Sequence, residues 1–133
     1  MSQENVELVR ATLRRMSEDG FNGVADLLDD DFTMDSPHGV EASQVHDTAG
    51  LREWFGKMEQ VWDGGLNFEP DEILRLDEEQ VLAAVRTGGR GRGTGIELDQ
   101  VIFHLYRVRD GKIVRLSTHF TKREALEAAG LSG

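Results

Sequence analysis

The chain has no cysteine, which removes disulfide staples, thiolate nucleophiles and cysteine-ligated zinc together and leaves the redox compartment open. Positive charge is scarce: 15 Lys and Arg stand against 25 Asp and Glu, a formal net charge of −10. A field of that sign repels phosphate backbones and anionic bilayer surfaces, so neither nucleic acid nor a membrane is an expected partner. No apolar run reaches the length of a membrane span. The opening Met1-Ser2-Gln3-Glu4-Asn5 is polar and passes straight into an amphipathic pattern, without the basic and apolar regions of an export signal. The expectation is a cytoplasmic protein. Internal repeats and low-complexity segments are missing too, and 133 residues suit a single domain, 1–133, able to bury one core.

What is present reads as helices followed by a sheet. Val6, Val9, Leu13 and Met16 recur at helical spacing after Ser2, and Gly20 offers a stop. Phe21, Val24, Leu27 and Leu28 repeat that period in a shorter helix, which the acidic run Asp29-Asp30-Asp31 would end before a short edge strand, Phe32 to Pro37. From Asp47 or Thr48, the stripe Leu51, Trp54, Phe55, Met58, Val61 and Trp62 predicts a helix carrying both tryptophans, closed by Gly64-Gly65. Four strands then follow, Leu66 to Asp77, Gln80 to Arg92, Glu97 to Arg109 and Lys112 to Phe120, with links short enough to demand antiparallel pairing. Thr121-Lys122-Arg123-Glu124 matches a capping box opening a last helix that Gly130 closes.

The strand Val101-Ile102-Phe103-His104-Leu105-Tyr106 carries the most information. A strand with one wet face alternates apolar and polar residues, whereas here both faces are apolar, so both must be covered. Ile102, His104 and Tyr106 point one way, toward helices or a pocket; Val101, Phe103 and Leu105 point the other, toward a partner, here expected to be a second copy of the chain. His104 is the polar interruption and the first candidate for chemistry. An imidazole near neutral pKa can shuttle a proton or polarise a carbonyl, and a buried histidine bonded to its neighbours is the structural alternative.

The turn at Asp110-Gly111 decides what His104 faces. A two-residue turn sets it opposite Ser117 and on one face with His119, close enough to suggest a metal. A three-residue loop, Arg109-Asp110-Gly111, sets it opposite Leu116 and sends His119 to the other side. The three-residue loop is the expected one, because it gathers Val114, Leu116, Thr118 and Phe120 on one inward face, and no metal site survives it. His38 and His46 lie in a polar loop without ligand spacing and read as solvated surface. The run Arg86 to Gly95 lacks the Gly-Lys-Ser/Thr ending of a phosphate loop, and Asp29 to Asp31 lacks the alternating ligands of a calcium loop. No cofactor or metal is expected. Met16, Met34, Trp54 and Met58 are candidates to line an apolar pocket, since thioethers and indoles adapt to irregular molecules.

The order of elements, with Glu4-Asn5-Val6, Leu27-Leu28-Asp29-Asp30-Asp31-Phe32, Gly50-Leu51-Arg52-Glu53-Trp54-Phe55 and Arg109-Asp110-Gly111-Lys112-Ile113-Val114, resembles the SnoaL-like branch of the nuclear transport factor 2-like superfamily over nearly the whole chain. The resemblance implies an α+β fold, a curved antiparallel sheet wrapped around N-terminal helices, cone-shaped with an internal pocket, often dimeric. It hosts isomerases, cyclases, epoxide hydrolases and noncatalytic binders, so it does not name a reaction. Ketosteroid isomerase, a relative, pairs an aspartate base with an oxyanion hole of tyrosine and a protonated aspartate. Those positions fall here at Ser36, Thr12 and His104; a one-residue slip offers Asp35 instead, at the cost of turning the side chain to the opposite face. The aspartate used by SnoaL cyclases and limonene epoxide hydrolase falls at Thr118, and the hydrolase's other pair at Thr87 and Val85, which excludes that hydrolase.

Two readings follow. One is an enzyme transferring a proton on a small, mostly apolar molecule, with His104, Asp35 and Ser36 as catalytic candidates. The other is a noncatalytic pocket protein or dimeric module. In both, Thr12, Met16, Met34, Trp54, Met58, Leu116, Thr118 and Phe120 are the expected lining, around a hollow larger than a few waters.

Overall fold

A computed structural model describes residues 2–36, 43–45 and 47–131. The first helix, α1 (Ser2–Asp19), buries Val9, Leu13 and Met16 along one stripe, as a period of 3.6 requires. It lies across β3 (Asn67–Arg75), and Ser17 fixes the contact: its hydroxyl accepts from the Phe68 amide at 2.8 Å and donates to the Leu13 carbonyl at 3.0 Å. Gly20, at φ 59°, ends the helix. α2 (Phe21–Val24) turns back on α1 so closely that a Cβ on Gly23 would stand 2.5 Å from the Arg15 carbonyl oxygen, which only glycine allows.

The second helix is shorter than its periodicity suggested. It tightens into a 3-10 turn, Ala25–Leu27, and β1 (Leu28–Ser36) begins at once, so the acidic run lies inside the strand rather than before it. The alternation explains this: Leu28 pairs with Ile113, and Phe32 and Met34 are buried, a period of two that begins where the helix was expected to continue. A short β2 (Ser43–Val45) pairs with β1. α3 (Thr48–Val61) opens on Asp47, whose carboxylate accepts the Gly50 amide at 2.7 Å, and it ends one residue short of Trp62, which takes the C-cap.

The sheet is completed by β4 (Gln80–Arg90), β5 (Glu97–Arg109) and β6 (Lys112–His119), in the order β2-β1-β6-β5-β4-β3. β3 to β6 form the expected antiparallel meander. The sheet as a whole is mixed, not antiparallel, because β1 runs parallel to β6. Those two strands are separated in sequence by α3 and the meander, long enough for the crossover that parallel neighbours need. α4 (Lys122–Ala128) is capped by Thr121, which accepts the Glu124 amide at 3.1 Å, and it packs across β5 and β6. Leu105, expected to meet a second copy, is already buried within the single chain, while Val101 and Phe103 remain partly exposed.

The turn between β5 and β6 corrects the three-residue loop. Arg109 pairs with Lys112, and Asp110 and Gly111 both take positive φ, 52° and 75°, as a two-residue hairpin turn. The register then shifts by one between Val108–Ile113 and Arg107–Arg115, a bulge that leaves Val114 without a partner. Beyond it His104 pairs with Thr118 and Phe103 with His119. The bulge cancels the parity of the shorter turn, so His104 shares a face with Leu116 and Thr118, and His119 belongs to the other.

Candidate functional site

Inside the curved sheet, under α1 and α3, is a cavity of about 40 Å³, room for roughly three water-sized spheres. That is narrower than the sequence suggested. The strands supply His104, Tyr106, Met34, Leu116 and Thr118, and the helices supply Thr12, Met16 and Trp54. Met58 and Phe120 do not line it. β6 ends at His119 and the chain turns into α4, which leaves Phe120 45 % exposed; Met58, a turn beyond Trp54 on α3, faces a separate hollow. Residues the sequence reading passed over complete the wall, Phe32, Phe55, Phe68 and Ile102 among them. Their signal was present: Ile102 and Tyr106 share the His104 face by simple alternation, and Phe32 lies two residues before Met34.

Asp35 is partly buried and absent from the cavity, on the face of β1 away from Phe32 and Met34 and paired with Ser117. Ser36 lies at the end of β1, paired in register with Ser43. His38 and His46 lie outside the described residues. Thr87 is buried in β4, its hydroxyl donating to the Val85 carbonyl at 3.4 Å, and neither residue lines the cavity. Among the described residues no three His, Asp or Glu side chains gather as a metal would require.

The chemistry of the cavity follows from its walls. Among the described residues, no lining side chain is an Asp, Glu, Lys or Arg. His104 is 4 % exposed, with its Nδ1 3.0 Å from the Tyr106 hydroxyl. Burial pulls the imidazole down to about 3, with a smaller repulsion from His119, and burial pushes the Tyr106 phenol up. Both groups are therefore neutral near pH 7. A phenol is the better donor and an imidazole nitrogen the better acceptor, so Tyr106 O–H donates to Nδ1 and the ring proton sits on Nε2. Phe68 closes one side of the ring edge-on, centroids 6.2 Å apart. Thr12 turns its hydroxyl back to the Leu8 carbonyl at 2.7 Å. Among the described residues, the buried side-chain donor left without a partner is the Trp54 indole Nε1–H, a vacancy that ordinarily costs about 1–3 kcal/mol.

The profile of the SnoaL-like domain matches residues 9–116. The chain belongs to the SnoaL-like domain family. Solved structures agree on the fold. Bal32a, from a soil-derived mobile gene cassette, superposes with a TM-score of 0.80 at 17 % identity, covering 96 % of each chain. A protein of ketosteroid isomerase-like fold from Catenulispora acidiphila, solved in complex with trimethylamine, gives 0.76 at 16 % identity over 94 % of this chain and 93 % of that one. A protein of unknown function from Burkholderia pseudomallei, described as NTF2-like, gives 0.77 at 17 %, over 93 % and 95 %. No curated protein matches the chain. Identities this low carry the architecture, an α+β cone, and leave the ligand to be argued from the SnoaL-like cavity itself.

Proposed function

We propose that this SnoaL-like domain binds a small, uncharged, mostly apolar molecule in its cone without turning it over. The observation that carries the reading is the cavity wall: mostly apolar side chains around a neutral imidazole and, among the described residues, no ionised group to bind a charge or take a proton. A base whose conjugate acid titrates near 3 has little driving force for abstracting a proton from carbon at neutral pH. The positions where ketosteroid isomerase and the SnoaL cyclases place their catalytic groups hold Ser36, Thr12, His104 and Thr118, none of which ionises to a carboxylate, and Asp35, the alternative base, lies on the face of β1 away from the cavity. His104 and Tyr106 then act as a hydrogen-bonded part of the wall that keeps the cone's shape. A structural relative solved with trimethylamine is consistent with small organic guests on this fold.

The test is a thermal-shift screen of hydrophobic carbonyl and epoxide compounds, followed by product analysis with the hits and repetition with His104→Ala. Binding without product is the expected result. Turnover of any hit that disappears in His104→Ala would replace this reading with the proton-transfer enzyme. The partly exposed Val101 and Phe103 support a dimer through the outer sheet face, for which sedimentation velocity should give a dimer for the wild type and a monomer for Phe103→Glu.

A further inference from the structure

Two hollows in this molecule share a wall. The inner cavity and a second one of about 190 Å³ between the C-terminal ends of α1 and α3 are both bounded by Met16, Trp54 and Phe55. The inner one, about 40 Å³, is the smaller, so a guest of more than a few heavy atoms would extend past the shared wall into the outer one. Met16 suits that role, because an unbranched thioether side chain can change rotamer at little cost. The outer hollow is rimmed by Glu18, Asp19 and Glu59, a local negative field that disfavours anionic guests.

Trp54, whose buried indole Nε1–H has no partner, is one of the residues of that same shared wall. His104 already has Tyr106 as its partner, whereas a buried indole donor with none is a site waiting for an acceptor. We infer that the two hollows are inner and outer chambers of one binding site, and that Trp54 selects a neutral guest carrying an acceptor oxygen, a ketone or ether, positioned where the chambers meet. This rests on the reading of the cone as an apolar ligand site and adds the polar atom that site requires.

Acetophenone and α-methylstyrene test it, because they differ only in C=O against C=CH₂. The chain has two tryptophans, so a ¹H–¹⁵N spectrum of the intact wild-type protein shows two indole resonances, assigned with Trp54→Phe and Trp62→Phe. Acetophenone should bind about tenfold more tightly than the styrene and move the Trp54 indole proton downfield, with Trp62 unmoved. In Trp54→Phe the preference should vanish, the two probes binding to within about twofold of each other. If acetophenone binds with the Trp54 resonance unchanged, or Trp54→Phe keeps the preference, the assignment of Trp54 is overturned and the apolar-site reading stands. If neither probe binds the wild type, the apolar-site reading falls and the inference with it.

Discussion

The two ends of the β4–β5 hairpin are built from the same backbone pairing and differ in almost everything else. From Gln80 to Val85, residues on both faces of β4 are buried or nearly so, and opposite them lie Ile102, His104 and Tyr106. From Gly88 to Arg90 the strand emerges into solvent, held by ladder bonds and ion pairs such as Arg90–Glu97 at 3.4 Å, and Ile96 near its tip is 65 % exposed. Pairing alone therefore does not create a site. The closed end is where helices cover the concave face, desolvate a histidine and strand an indole donor; at the open end Trp62 and Leu66 lie against Gly89, and the charged side chains of Arg90 and Glu97 stay in solvent.

The largest effect expected from that contrast is on stability. Phe32 is 1 % exposed at the closed end, and Phe32→Ala removes an aromatic ring from a packed wall, a loss of about 3–5 kcal/mol. Ile96→Ala at the open end should change stability by no more than about 0.5 kcal/mol. Urea denaturation of both variants measures the contrast, and comparable losses would break it.

A smaller effect separates the ends by pH. His104 titrates at about 3 when folded and near its ordinary 6.5 when unfolded, so the unfolded chain takes up its proton first as pH falls. The contribution is fully present above about pH 6.5 and is lost progressively down to about 3, amounting to about 2 kcal/mol between pH 7 and pH 5. His104→Gln should show a shallower decline of stability over that window than the wild type, by about that amount. Equal slopes would mean that the closed end is wetter than its packing indicates.

How far this closed end was legible in the sequence depends on the range of the interaction involved. Alternation is local, so the meander and the shared face of Ile102, His104 and Tyr106 could be read directly. The parallel pairing of β1 with β6 joins Met34 to Leu116, and no local pattern encodes a partner that remote. The bulge at Val114 was hidden for another reason. Ile113 and Val114 are equally apolar, so nothing marks which one drops out of register, and the orientation of His104 came out as expected only because the loop length and the bulge each alter parity once. Met58 shows the same limit on α3: helical spacing groups it with Trp54, but a further turn along the axis carries it past the shared wall into the outer hollow.

The smallest effect expected concerns the ion pairs that flank the transition between the two ends. Arg86 reaches Asp99 at 3.2 Å and Asp71 at 3.5 Å, with its side chain half exposed and those of the two carboxylates 70 % and 42 % exposed. Solvent screens such pairs, and holding long side chains in place offsets what remains, so Arg86→Ala should cost less than about 1 kcal/mol. The loss should shrink further in high salt, where exposed charges hardly interact. A larger, salt-insensitive cost would show that Arg86 acts through its aliphatic stem, packed over the sheet, and would move the boundary of the closed end one residue beyond Val85.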